Sequence, residues 1–441
     1  MSLFTQFIFI NTSFLSISNV LCLFDRFYAC AGLAVVSVCF LSLVLLIYQS
    51  TIRSFTRHGE AITLLTENPI EKKSLSNTIL NRFGAREPDS STTPFYPHSS
   101  NRSLSLTSKE RRHVAFLKVH KAASSTAQNI FLRFAISRDL LVVLPLVPKF
   151  FFPNVISGTT SVTKQNILPV PKGRFYEILC CHVIYNRDAF ARIMPADTVN
   201  IGIVRDPFEH FISTLNYMRP HEVFKINTSD PVSVFLQNPT NYVKRTSQSY
   251  ANNRMAFEFD FPAKLFETRD KGGIERYLHK LESEFQLVLI VELFDESLVL
   301  MRRLLNWEMK DILYVKLNSR RQLFERINFK PGDVQLYKRW AEIDYALYNF
   351  FYRRLQAQIQ EQGPTFHEEL LCFRSLRQDM QIYCEKKPMS NVPYHVTASS
   401  WSDAFEITKE DCSSMRKGEI PFIREIRMQQ YGFYNEISKT S

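Results

Sequence analysis

Through its middle the chain alternates short apolar runs with stretches in which apolar residues recur every three or four positions. The runs at 114–119, 141–145, 175–181, 199–204 and 286–291 predict strands, and the periodic stretches at 126–138, 186–194, 207–218, 274–284 and 294–305 predict helices. Helices placed between strands imply a mainly parallel sheet covered on both faces, hence one α/β domain. Farther along, Val334 to Gln362 and Phe366 to Tyr383 read as long helices. Their Trp340, Tyr345, Leu347, Tyr348, Phe351 and Leu355 fit a core better than a platform for a sugar. No internal repeat is visible.

One apolar stretch is of another kind. Tyr28 to Tyr48 holds 21 residues without a charge, and at 1.5 Å per residue it spans roughly 31 Å, one bilayer core. It reads as a single transmembrane helix, and no small-residue cleavage pattern follows it. Asp25 and Arg26 precede it while Arg53, Arg57, Lys72 and Lys73 follow, so charge alone does not favour an inward N-terminus. The stretch from Phe7 to Phe24 has polar interruptions and is not read as a second span. Thr51 to Ser108 is rich in Ser, Thr, Asn and Pro, the composition of a stem. The expected order is tail 1–27, anchor 28–48, stem 49–110, catalytic domain 111–385 and C-terminal extension 386–441.

The 441 residues, 45% hydrophobic and 13% aromatic, are enough for one large core. A net charge of +11 suits an anionic ligand, a nucleic acid or a membrane face equally. No zinc spacing, RNA-binding signature or helix-turn-helix pattern appears, so no nucleic-acid partner is expected. Five cysteines follow the anchor, Cys180, Cys181, Cys372, Cys384 and Cys412, and an odd number leaves at least one unpaired unless another chain contributes. A Cys372–Cys384 pair would close a short local loop. Asn101 and Asn227 head glycosylation sequons, whereas Asn238 is followed by a proline.

Candidate chemistry concentrates in two segments at strand-to-helix junctions. In the first, the strand from Val114 to Val119 runs through His120 into Lys121-Ala-Ala-Ser-Ser-Thr126 and then a helix. Small Ala122, Ala123 and Ser124 let backbone N–H groups approach an anion, the Ser125 and Thr126 hydroxyls can donate to it, and Lys121 adds a full charge. No Walker A pattern is present. In the second, Arg205 ends the strand Val199 to Val204 and Ser213 lies eight residues on, so both reach toward one phosphate at the carboxyl end of the sheet. Alone, the first segment fits an ordinary capped helix start with a solvated Lys, and the second a surface ion pair of Arg205 with Asp206 and a solvated Ser213 hydroxyl. Both together suggest a cradle for a doubly phosphorylated nucleotide.

Lys121-x-x-Ser-Ser-Thr126 and Arg205-x7-Ser213 resemble the 5′-phosphosulfate and 3′-phosphate motifs of sulfotransferases that use 3′-phosphoadenosine 5′-phosphosulfate. Phe116 to Thr126 is similar to the first motif of the galactose-3-O-sulfotransferases, with Val119 and Ala122 where that family usually has threonine. Leu287 to Trp307, Asp311 to Asn318 and Leu336 to Tyr348 carry the resemblance further, over roughly Arg112 to Cys384. It implies an α/β, P-loop-like sulfotransferase fold with a C-terminal helical extension. It also implies a nucleotide sulfuryl donor, a galactose-terminated glycolipid or glycan as acceptor, and a type II Golgi membrane protein with a lumenal catalytic domain; no metal is expected, because no His/Cys/carboxylate cluster has ligand spacing and Lys121 can supply a fixed positive charge. A homodimer is left open.

Sulfuryl transfer needs a cation for the charge growing on the leaving phosphate, and Lys121 suits it. It also needs a base for the acceptor hydroxyl. His182, at the end of the 175–181 strand, is the candidate, because related hexose sulfotransferases place a histidine similarly; His120, beside Lys121, competes. Two other readings are a nucleotide-dependent phosphotransferase, which lacks a Walker A loop and a clear metal-holding carboxylate, and a non-catalytic glycan-binding protein. Intact Lys121, His182, Arg205 and Ser213 argue against the latter.

Overall fold

Four short strands, all parallel, form the centre of the molecule: β1 (Val114–Phe116), β2 (Ile178–Leu179), β3 (Val199–Val204) and β4 (Leu287–Ile290), in the order β2-β1-β3-β4. The computed structural model describes residues 109–146, 152–218, 224–243, 249–316, 329–386 and 391–432. The expected tail and Tyr28–Tyr48 anchor, the expected stem up to residue 108 and the Asn101 sequon lie outside the described residues. Among the described residues no helix is long and apolar enough to cross a membrane.

Along the chain, β1 (Val114–Phe116) leads into α1 (Ser124–Ser137), β2 (Ile178–Leu179) precedes α2 (Arg187–Ala191), and β3 (Val199–Val204) leads into α3 (Pro207–Met218). Then α4 (Arg254–Glu258) and α5 (Lys271–Glu284) come before β4 (Leu287–Ile290) and α6 (Phe294–Leu305). Every residue of β1 and β4 is buried, and in β3 only Asn200 is partly exposed. A parallel sheet covered on both faces requires this, which is why its strands read as unbroken apolar runs. Gly202 of β3 is required by packing: a Cβ there would stand 2.8 Å from the Phe259 ring.

The predicted strand at 175–181 is laddered only at two residues, and 141–145 contributes isolated bridges, Val142 to Ile178 and Pro145 to Ile167. Pro145 has no N–H to extend a ladder. β1 stops at Phe116; Leu117 still donates to the Ile201 carbonyl at 2.8 Å before the chain turns into the loop.

The expected helix from Val334 to Gln362 is two helices, α7 (Asp333–Trp340) and α8 (Glu342–Gln360), broken at Ala341 with φ −102° and ψ 39°. Asn253 Oδ1 accepts the Asp344 N–H at 2.9 Å, taking up a backbone donor freed by the break. The break lets one apolar run serve two cores: Trp340 packs in a smaller cluster with Phe211 and Phe235, while Leu347, Phe351 and Leu355 enter the main core. Tyr345 and Tyr348 are only partly buried.

After α9 (Thr365–Glu385) comes a small antiparallel hairpin, β5 (Tyr394–Val396) and β6 (Phe405–Ile407), then α10 (Lys409–Arg416) and α11 (Glu419–Tyr431). Cys412, Met415, Phe422, Ile423 and Ile426 of this region belong to the main core. Cys384 is bonded to Cys412, with Cα atoms 5.3 Å apart, so the Cys372–Cys384 expectation is corrected. Cys372 and Cys384 sit twelve positions apart on α9, roughly 18 Å along the axis, far beyond disulfide reach.

The connection leaving β1 goes to β2 on one side, and β3 is followed by β4 on the other. A crevice therefore opens between the carboxyl ends of neighbouring β1 and β3, where open α/β sheets bind ligands. Both singled-out segments begin there.

Candidate active site

The loop after β1 bends sharply. Lys121 and Ala123 have φ of 58° and 50°, left-handed values carried without a glycine. Ala122 and Ser124 turn inward, and Ser124 Oγ donates to the Val119 carbonyl at 2.5 Å. Ala123 and Ser125 are exposed, and Lys121 and Thr126 are half-buried. Among the described residues no side chain caps the start of α1; the Thr126 N–H turns back to the Ala123 carbonyl at 3.1 Å, which leaves the Ser124 and Ser125 N–H groups and the positive end of the helix at the crevice mouth.

Arg205 comes up beside this loop from β3: its Nη1 donates to the Lys121 carbonyl at 3.3 Å and its Nη2 to Glu209 at 3.1 Å. The two segments, 84 residues apart, are thus in contact. The Glu209 carboxylate is half exposed, and such a pair is worth at most about 1 kcal/mol, so an arriving phosphate can take the guanidinium over. Asp206 is not the ion-pair partner of Arg205; its Oδ1 accepts the N–H groups of Phe208 and Glu209, both at 2.9 Å, and starts α3. Ser213 lies two turns along α3, half-buried, and among the described residues no hydrogen bond ties it to Arg205. Burial, then the nearby charges of Arg205 and Lys118, push the Lys121 ammonium below its usual range. Lys121 Nζ stands 4.1 Å from the centre of the Tyr217 ring.

The two candidate histidines are stacked, ring centres 3.7 Å apart, and they differ in what their nitrogens do. His182 is buried; its Nε2 faces Lys118 Nζ at 2.8 Å and its Nδ1 the Lys118 carbonyl at 2.9 Å. The Nδ1–H therefore donates to the carbonyl while Nε2 accepts from the ammonium. Burial, followed by the Lys118 charge, drives His182 well below the ordinary histidine range. Neither nitrogen is open to an acceptor hydroxyl, so the expectation of His182 as the base does not fit its surroundings.

His120 is 19% exposed at its side chain. Its Nδ1 pairs with Glu258 Oε1 and its backbone N–H donates to Glu258 Oε2 at 2.8 Å. Among the described residues no hydrogen bond engages its Nε2. Glu258 closes α4, is 1% exposed, and is clamped by Arg254 at 2.7 Å. Burial raises its pKa, but the charges of His120 and Arg254 outweigh this and hold the carboxyl at about 2. His210 of α3 donates Nε2–H to the His120 carbonyl at 2.8 Å, fastening the second segment to the first.

Lys118, Glu258, Arg254 and His210 are the site residues that motif reading missed. Lys118 and His210 carry a local signal, lying within the two segments. Glu258 carries none, reaching His120 across 138 positions.

An α/β sulfotransferase architecture, with a helix N-terminus and two basic residues at the switch point, is what fold and site together define. The galactose-3-O-sulfotransferase family matches residues 25–393, and the chain belongs to it. Among curated relatives it is similar to human galactosylceramide sulfotransferase, 31% identical over 285 residues, 62% of this chain and 64% of that protein. Human galactose-3-O-sulfotransferase 2 is 30% identical over 62% of this chain and 68% of its own, and human galactose-3-O-sulfotransferase 3 is 32% identical over 54% and 55%. The chain thus spans just under two thirds of the first of these relatives.

Proposed function

We propose that the protein is a sulfotransferase that moves a sulfuryl group from 3′-phosphoadenosine 5′-phosphosulfate to the 3-hydroxyl of galactose in a glycolipid or a glycan. The observation that carries this is the meeting of Lys121, Arg205 and the uncapped start of α1 beside a histidine held at one nitrogen and open at the other. In this reading the α1 N–H groups and Lys121 bind the 5′ end of the nucleotide and Arg205, with Ser213, the 3′-phosphate. Lys121 neutralises charge on the leaving phosphate oxygen. Glu258 fixes His120 with its proton on Nδ1, so Nε2 has a lone pair and removes the acceptor's hydroxyl proton. His182, stacked beneath, supports the ring and anchors Lys118. A Golgi lumenal placement belongs to the same proposal, and the Cys384–Cys412 disulfide supports an oxidising compartment.

The test begins with calorimetry. 3′,5′-Bisphosphoadenosine should bind far more tightly than 5′-AMP, since charge-assisted hydrogen bonds to the 3′-phosphate contribute about 1.5–3 kcal/mol each. Equal affinity would remove the nucleotide assignment. Transfer of labelled sulfate to a panel of galactosides, with linkage analysis of the product, then checks acceptor and position.

A further inference from the structure

Glu419 opens α11, in the part of the chain beyond the family-matched residues 25–393. Its carboxylate nevertheless sits in the loop after β1. Oε1 lies 2.9 Å from the Lys118 ammonium, and Oε2 accepts the Ser125 hydroxyl, 294 positions away in sequence. α11 is seated independently of this contact: Phe422, Ile423 and Ile426 are in the core, and Arg427 donates to the carbonyls of Pro145 and Leu146 at 2.8 and 3.1 Å.

Lys118 is 1% exposed, and its other side-chain partner is the neutral Nε2 of His182. A buried ammonium facing only a neutral imidazole would lose more hydration than its contacts return. The carboxylate is the anionic partner of this buried ammonium, so its departure when a ligand arrives would leave Lys118 facing only the imidazole. Ser125 has one hydroxyl proton, and Glu419 takes it. The hydroxyl then has only lone pairs to offer. An incoming anion must be held by backbone N–H groups, Lys121 and Arg205, and the shape of the loop decides whether they converge.

We propose that Glu419 is a positioning residue for nucleotide binding: by gripping Lys118 and Ser125 it sets the loop from Lys121 to Thr126 in its anion-receiving form. This rests on the reading of that loop as the site of the sulfuryl donor. A carboxylate that merely occupied the anion's place would act in the opposite direction, weakening binding while present.

The test uses the full chain, with 3′,5′-bisphosphoadenosine as calorimetric probe and steady-state kinetics in both substrates, thermal unfolding verifying that each variant is folded. Glu419→Ala should weaken nucleotide affinity and raise the KM for the sulfuryl donor about 10- to 100-fold, the loss of hydrogen bonds to a charged group, with the acceptor KM unchanged. Glu419→Gln, which keeps an oxygen for Ser125, should recover part of this. Ser125→Ala combined with Glu419→Ala should be no worse than Glu419→Ala alone, because both disrupt one contact. Unchanged affinity in folded Glu419→Ala overturns the proposal, and tighter binding overturns it in favour of a competing carboxylate. If the alanine variant does not fold, Glu419→Gln decides: wild-type affinity there is equally fatal. Failure of the wild-type chain to bind the probe removes the functional reading itself, whereas binding that is indifferent to Glu419 removes only this inference.

Discussion

A histidine serves as a base when one nitrogen is held and the other is open, and the two stacked imidazoles divide along that line. His120 has Glu258 on Nδ1, while His182 has Lys118 on both sides. His120→Ala should therefore lower turnover about 10²–10⁴-fold, the usual contribution of a general base. Bisphosphoadenosine affinity should change little, because the His120 backbone N–H keeps its bond to Glu258. Single-turnover transfer measured beside calorimetry checks both halves; a variant that turns over normally returns the role to His182. Arg205, directly after β3, and Lys121, in the loop between β1 and α1, were legible because they lie in segments whose strand-to-helix pattern is visible in the sequence. The partners that decide between the histidines were not, since Glu258 and Lys118 reach them across 138 and 64 positions and no local pattern marks a contact of that span.

At the scale of elements, the site depends on α3 being fastened to the loop after β1, and His210 is the fastener. It is fully buried, its Nδ1 has no partner among the described residues, and burial pushes its pKa down to about 4. In the unfolded chain it would titrate near 6.5. Between those values the unfolded state binds more protons than the folded one, so stability rises with pH and is lost as pH falls from 6.5 through 4. Glutamine in this position can donate to the His120 carbonyl without titrating. His210→Gln should flatten the decline of the unfolding temperature across that window relative to wild type, while the declines due to other groups remain in both. Parallel curves would mean that His210 carries no proton linkage. Helices and buried strands with clean periodicity, such as Pro207–Met218 and Phe294–Leu305, matched their sequence expectation. The two-residue β2 and the break at Ala341 did not, because ladder partners and the Asn253–Asp344 contact come from distant chain.

For the molecule as a whole, the segment after Glu385 is the largely helical extension the sequence predicts; the structure adds that it contributes to the main core and brings Glu419 to the loop after β1, contacts no local pattern marks. The Cys384–Cys412 bond joins this segment to α9, closing a sequence separation of 28. In the chain-entropy account a loop of that size stabilises by about 3–4 kcal/mol, almost all of it by restricting the unfolded state. α11, by contrast, is held in the folded state by its own contacts, through Phe422, Ile423, Ile426 and Arg427. Replacing both cysteines by serine should therefore lower the urea midpoint and the unfolding temperature clearly. The KM for the sulfuryl donor at 25 °C should stay near wild type, since the native position of Glu419 does not depend on the bond. If the serine variant is folded by circular dichroism and its stability is little changed, the entropic account fails for this loop. If it is folded but has lost donor affinity, the disulfide positions α11 in the native state, and the seat of that helix is weaker than its buried face implies.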